Sequence, residues 1–171
     1  MRIPVAKIQS APRVHAIRVT DAWVRETISL AIGGEVETVS GTLTIERTGA
    51  DIRVSGEVSL SGTTLCAACG EAAAVHLKAS PDFIYREMGE ESSSNSDEEV
   101  ELGEDELNVG WYTDDTLDLK EVLSEIVALD FPLRVLCEER SACDARSAEL
   151  FKKVDAIQPA NPFASLKEMC S

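Results

Sequence analysis

Four cysteines fall as two close pairs, Cys66-x2-Cys69 and Cys137-x5-Cys143. Thiolates are soft ligands, and a tetrahedral zinc site takes four protein donors at about 2.0–2.3 Å, so two pincers far apart in sequence suit a site that closes in space. The first pair has the spacing of a metal knuckle, the second is wider than usual, and no histidine stands beside either. A structural zinc ion on Cys66, Cys69, Cys137 and Cys143 is the expectation. The plainer reading is four reduced, partly buried thiols packed as small hydrophobes. His76 lies close enough in sequence to offer a further ligand, although a lone histidine in a strand more often packs or faces solvent. The fifth cysteine, Cys170, is a bystander in the tail.

Other chemistries find less support. A redox Cys66-Ala-Ala-Cys69 pair would want an exposed thiol at a helix N-terminus, and this one falls between strand-like runs. A hydrolase would want a nucleophile motif beside His15 or His76, and neither H-E-x-x-H nor a glycine-rich phosphate loop occurs. The chain reads as a non-enzyme. Its N-terminus lacks a continuous apolar core and a cleavage site, and no stretch is long enough to span a bilayer. The expectation is a cytoplasmic protein without membrane contact, where thiols stay reduced.

A net charge of −15 opposes nonspecific binding to a polyanion, but the charge is unevenly spread. Between Glu87 and Glu106 stand ten acids and no Lys or Arg, around Ser92-Ser-Ser-Asn-Ser96. Such a stretch buries too little apolar surface to offset its ordering entropy, so residues 87–106 read as a mobile or disordered acidic insertion. It is a solvated linker or, in a functional reading, a flap that mimics nucleic-acid charge. The first twenty residues hold Arg2, Lys7, Arg13, His15 and Arg18 and no acid. Arg2, Lys7, Arg13 and Arg18 are thus the candidate RNA-binding residues, although a basic N-terminus is also a common incidental feature.

The elements that must position the cysteines follow from periodicity. Thr20 is placed to cap a helix over Asp21–Ile32 that stops at Gly33-Gly34. Thr42–Glu46 and Asp51–Leu60 read as strands joined by a hairpin at Thr48-Gly-Ala, since Ile52, Val54, Val58 and Leu60 alternate with polar residues. The second strand runs on through Leu65 into Cys66. Ala74–Ala79 alternates again, which sets the knuckle in a turn between two strands. Leu107–Thr113 reads as a short edge strand. Asp118 and Glu121 stand at capping-box spacing before a helix whose Leu119, Val122, Leu123, Ile126 and Val127 share a face for packing against the sheet, and Pro132 ends it. Leu133–Leu136 is extended into Cys137, residues 143–154 are weakly helical, and Asn161–Lys167 starts a short terminal helix. The expected architecture is a single α+β domain over residues 1–171, with a mostly antiparallel β-sheet, a packed amphipathic helix and the acidic loop.

Taken in order, these pieces resemble the bacterial YceD family, named for supporting accumulation of large-subunit ribosomal RNA. The matching residues are Val54-Ser-Gly56, Leu65-Cys66-Ala-Ala-Cys69-Gly70, Asp118-Leu119, Glu121, Glu125, Leu129 and Pro132, then Cys137, Cys143 and Asn161-Pro-Phe-Ala-Ser-Leu166. The likeness runs from about Gly41 onward. One departure stands out: Ala68 occupies the position before the second knuckle cysteine where the family commonly has arginine. The resemblance implies a non-enzymatic ribosome-assembly factor that binds large-subunit ribosomal RNA or a pre-ribosomal particle. The alternative is an acidic, zinc-stabilised adaptor docking on a basic ribosomal or assembly protein, since opposite charges steer such an encounter.

Overall fold

The computed structural model describes residues 1–88 and 108–157. The acidic insertion (apart from its first two residues), the Asn161–Lys167 helix and Cys170 lie outside the described residues. Glu87, expected in the insertion, is the last residue of a strand.

The architecture is α+β. Strands β2 (Arg13–Arg18), β3 (Glu35–Thr48), β4 (Asp51–Leu65), β5 (Ala72–Ala79), β6 (Asp82–Glu87) and β7 (Val109–Tyr112) form a six-stranded sheet, while β1 (Arg2–Pro4) pairs with β8 (Thr116–Asp118). Every pairing is antiparallel except β6 with β7, which is parallel and places β7 at the sheet edge. The long β4 organises the rest. One side pairs with β3 along almost its full length, and the other serves β6 with its first half and β5 with its second.

β4 ends at Leu65 as expected, whereas β3 exceeds the sequence expectation, which began it at Thr42. Seven further residues, Glu35–Gly41, extend it, and a register shift between Val36 and Thr38 breaks the alternation that would have revealed them. β1, β2 and β6 went unread as strands for a related reason: each is short, and Arg13–Arg18 has only Ile17 fully buried. The β3–β4 hairpin turns through Gly49-Ala50, as expected.

Helix α1 (Ala22–Ile32) starts one residue later than anticipated. Asp21 occupies its N-cap without a side-chain bond, so Thr20 is not the cap. Helix α2 (Leu119–Asp130) is capped by Asp118, whose Oδ1 accepts from the Lys120 N–H at 2.9 Å. Its five anticipated apolar residues are all buried, with Leu119, Leu123, Ile126 and Val127 at 0% exposure. They pack on α1 and, as expected, join the sheet's inward residues in one core, with β5 and β1 among their neighbours. Phe131 is extended before Pro132, which ends the helix. Residues Leu133–Leu136 form no strand. Helix α3 (Arg140–Ile157) is longer than the weak helical pattern suggested and begins before Cys143.

Inward-facing Leu43, Ile45, Ile52, Val54 and Val58 join α1 and α2 in one core, so the helices cover one face of the sheet. On that face's margin His15 has a buried Nε2 without a hydrogen-bond partner. Burial, and secondarily the charge of Arg13, hold its imidazole below the ordinary 6.5. The fold favours the neutral ring, while the unfolded chain takes up a proton as pH drops through about 6.5, so this group costs stability on acidification. Urea melts of the wild type should therefore weaken between about pH 7 and pH 5.5, and His15→Gln should show a smaller decline. Identical pH dependence in the two proteins would refute the assignment.

Candidate metal centre

β4 delivers Cys66 one residue past its last position, and β5 begins three residues after Cys69. The turn is closed by backbone bonds from Cys66 N–H to Glu71 O at 2.7 Å and from Gly70 N–H to Cys66 O at 2.9 Å. The Ala68 N–H points at Cys66 Sγ, 3.5 Å away. The second pair arrives from the far end of the chain. Ala67 N–H donates to Val135 O at 2.8 Å, which clamps the segment after α2 onto the knuckle, and Cys143 sits in the first turn of α3.

All four sulfurs lie within 4.8 Å of one another. Cys66 Sγ is 3.6 Å from Cys143 Sγ, and Cys69 Sγ is 3.5 Å from Cys137 Sγ. Sulfurs about 2.3 Å from a tetrahedral centre stand about 3.8 Å apart, so the cluster fits a four-coordinate metal ion. The pairs are too long for disulfides, and all four cysteines are free. Cys66, Cys69 and Cys143 are buried and Cys137 is half-buried. Four cysteines that could hold a metal ion are thus brought together from sequence positions 77 residues apart at their extremes.

The local fields are unequal. Backbone N–H groups of Cys69 and Ala68 pull the Cys66 thiol down to about 5, and the Glu71 N–H lowers Cys69. Cys143 is pushed up to about 12, first by burial and then by its sulfur neighbours. Cys137 is raised by its contact with Cys69. A low thiol value alone would also suit a redox cysteine. Cys66, however, is 3% exposed, and its sulfur contacts that of Cys143 at 3.6 Å.

Sequence reasoning missed Arg146. From α3 it donates through Nη2 to Cys137 Sγ at 3.5 Å and approaches Cys69 Sγ at 3.8 Å. Four thiolates around a divalent ion would leave a net charge of −2, and this guanidinium is placed to offset part of it. A signal existed: Arg146 lies three residues after Cys143, on the same helix face. His76 is not part of the cluster, since it is exposed on β5 with its side chain on the sheet face opposite the core.

The four N-terminal cations do not converge. Arg2 donates from Nε to Asp118 Oδ2 at 3.1 Å. Lys7 and Arg13 share the rim of a small hollow of about 30 Å³ beside His15. Arg18, five residues from Arg13 on β2, exposes its side chain on the other face of the sheet. Among the described residues no helix is long and apolar enough to cross a membrane.

A two-layer α+β fold with a tetracysteine cluster at one end of its sheet describes a small domain stapled by a metal-competent centre. The family model described as large ribosomal RNA subunit accumulation protein YceD matches residues 53–169, and the chain belongs to the YceD family. The match opens inside β4, further along than Gly41. No curated protein and no solved structure matches the chain. The family's description concerns accumulation of large-subunit ribosomal RNA and names no reaction.

Proposed function

We propose that the whole chain, residues 1–171, acts as one non-enzymatic, cytoplasmic ribosome-assembly factor that supports accumulation of large-subunit ribosomal RNA by binding that RNA within a precursor particle. The observation that carries this reading is the family match over residues 53–169. A structural zinc ion on Cys66, Cys69, Cys137 and Cys143 holds the domain's distal segments together, because four thiolates in a closed tetrahedral shell are a zinc set with no open position for catalysis. When bound, zinc supplies a fold-stabilising crosslink, and the chain's own contribution is the knuckle N–H groups and Arg146 that hold thiolate charge.

The RNA contacts are assigned to the exposed side chains of Lys7, Arg13 and Arg18, with Arg2 drawn partly toward Asp118. Replacing all four by alanine should weaken association with large-subunit precursors and flatten the dependence of log K on log salt by up to about three units for single-stranded RNA. Unchanged affinity in the quadruple variant would sink the assignment.

A second reading, the adaptor for a basic protein, is favoured by one cleft. About 480 Å³ in volume, it is lined by Trp111, Tyr112, Asp114, Glu121 and Glu125 among others, with the Tyr85 hydroxyl donating to Glu125 at 2.7 Å. Aromatic rings beside carboxylates suit a lysine or arginine side chain. Pull-down from lysate with and without nuclease separates the two readings: a complex that survives nuclease speaks for the adaptor.

A further inference from the structure

The sheet face turned away from α1 and α2 carries side chains that the metal centre does not use. Strand register arranges them in two rows. Arg18 lies opposite Ser40, Ser40 opposite Ser59, and Ser59 opposite Lys78, so one row crosses β2, β3, β4 and β5 with a cation at each end. In the next row Thr38 lies opposite Ser61, and Ser61 opposite His76. Three interstrand steps set the Cα atoms of Arg18 and Lys78 about 14 Å apart. Arg18, Ser40, Thr38, His76 and Lys78 are exposed, while Ser59 and Ser61 are half-buried.

A shallow depression of about 330 Å³ lies over Thr38, Ser40, Ser59, Ser61, His76 and Lys78, with Arg18 just outside its lining, and no carboxylate lines it. In a chain with 31 acids against 16 Lys and Arg, that is a local reversal of charge. Carboxylates stand in the rows on either side, Glu57 opposite Thr42 and Glu35 opposite Thr63, Glu37 is exposed beside Thr38 at the register shift, and further along the same face Glu46 and Asp82 flank Arg53. Arg2 and Arg53 are engaged by Asp118 and Asp82, whereas Arg18 and Lys78 form no ion pair among the described residues. Thr38 and Ser61 share one hydroxyl hydrogen bond of 2.7 Å, which leaves one of the two hydroxyls free to donate outward.

We propose that this face binds the phosphate backbone of single-stranded RNA, with Arg18 and Lys78 each taking a phosphate and the serine and threonine hydroxyls between them donating to phosphate oxygens and 2′-hydroxyls. The proposal rests on the RNA reading above and names its surface. Arginine, lysine, serine and threonine are the side chains that contact phosphate and sugar. A broad hydroxyl-lined surface meets a splayed strand, whose backbone is open, better than the grooves of a duplex. No aromatic residue lines the depression, so contacts follow the backbone rather than base identity. His76 at the row's end adds a ring and an N–H within the same strip.

The test is fluorescence anisotropy of the full chain with a labelled oligouridylate of about twelve nucleotides, between roughly 50 and 200 mM salt. The double variant Arg18→Ala/Lys78→Ala should bind about tenfold more weakly at the low-salt end, with a slope of log K against log salt flatter by about 1.4, or 0.7 for each phosphate no longer neutralised. Lys120→Ala/Arg140→Ala removes the same charge from the helical side and should stay within about twofold of the wild type. Equal weakening by both double variants overturns the proposal, because net charge alone would then explain binding. Wild-type affinity and slope in the Arg18→Ala/Lys78→Ala protein also overturn it, and leave the RNA reading standing if the wild type binds the oligonucleotide. The same variants are then sedimented with large-subunit precursors. Full retention of the sheet-face variant there overturns the surface, and wild-type retention that survives nuclease overturns the RNA reading with it in favour of a basic protein partner.

Discussion

Serine in place of any one of Cys66, Cys69, Cys137 or Cys143 is expected to abolish retention of about one equivalent of zinc and to lower the melting temperature by roughly 10 °C or more. The size follows from where the ligands sit. Two come from the β4–β5 turn and two from the entry to α3, so a bound metal would join segments otherwise linked by the backbone bond from Ala67 to Val135 and the Arg146 contact with Cys69. A site of this kind does not exist in the unfolded chain, and its binding free energy becomes folding free energy. The loss should be felt first at α3. Its residues from Ala148 to Val154 are all exposed, and it packs on no strand or helix extensively, leaving Cys143 and Arg146 as its anchors. Limited proteolysis should therefore cut α3 in chelator-treated protein before it attacks the sheet. Elemental analysis with melts in the presence and absence of chelator makes the measurement. Metal-free protein with an unchanged melting temperature would leave four packed thiols and no cofactor.

Gly56→Ala is expected to destabilise the fold by about 3 kcal/mol or more, read as a lower urea midpoint at constant slope. Gly56 sits at φ 157° in the middle of β4, opposite Leu43, and a Cβ there would collide with the main-chain carbonyl oxygen of Thr42. The obstacle is backbone in the two longest strands, and Leu43 beside it is fully buried, so relief by a rotamer change is closed. Gly49→Ala supplies the contrast. That hairpin glycine has φ 67° and nothing within 4 Å of an added methyl, so only the left-handed backbone penalty of about 1 kcal/mol remains. Comparable losses at the two sites would show that β3 and β4 yield more readily than their close approach implies.

Local and periodic features were legible in the chain before any tertiary contact was known. Alternation of Ile52, Val54, Val58 and Leu60 specified β4, because a strand buried on one face must repeat every second residue. The spacing of Leu119, Val122, Leu123, Ile126 and Val127 specified α2 and its buried side for the same kind of reason, and the Cys66–Cys69 spacing marked the knuckle. The order of these pieces was enough to identify the family. Three further matters depend on the assembled fold. That Cys137 and Cys143 reach the knuckle follows from the Ala67–Val135 bond and the course of the chain past Pro132. Packing of α3 brings Arg146 to two sulfurs, where a charged side chain otherwise reads as an ordinary solvated residue. The sheet also separates the N-terminal cations, sending Arg2 to Asp118 and Arg18 to the outer face, and sets Arg18 in line with Lys78 sixty residues away. Register between strands distant in sequence is a property of the whole sheet, because every pairing depends on where its neighbour has already been placed.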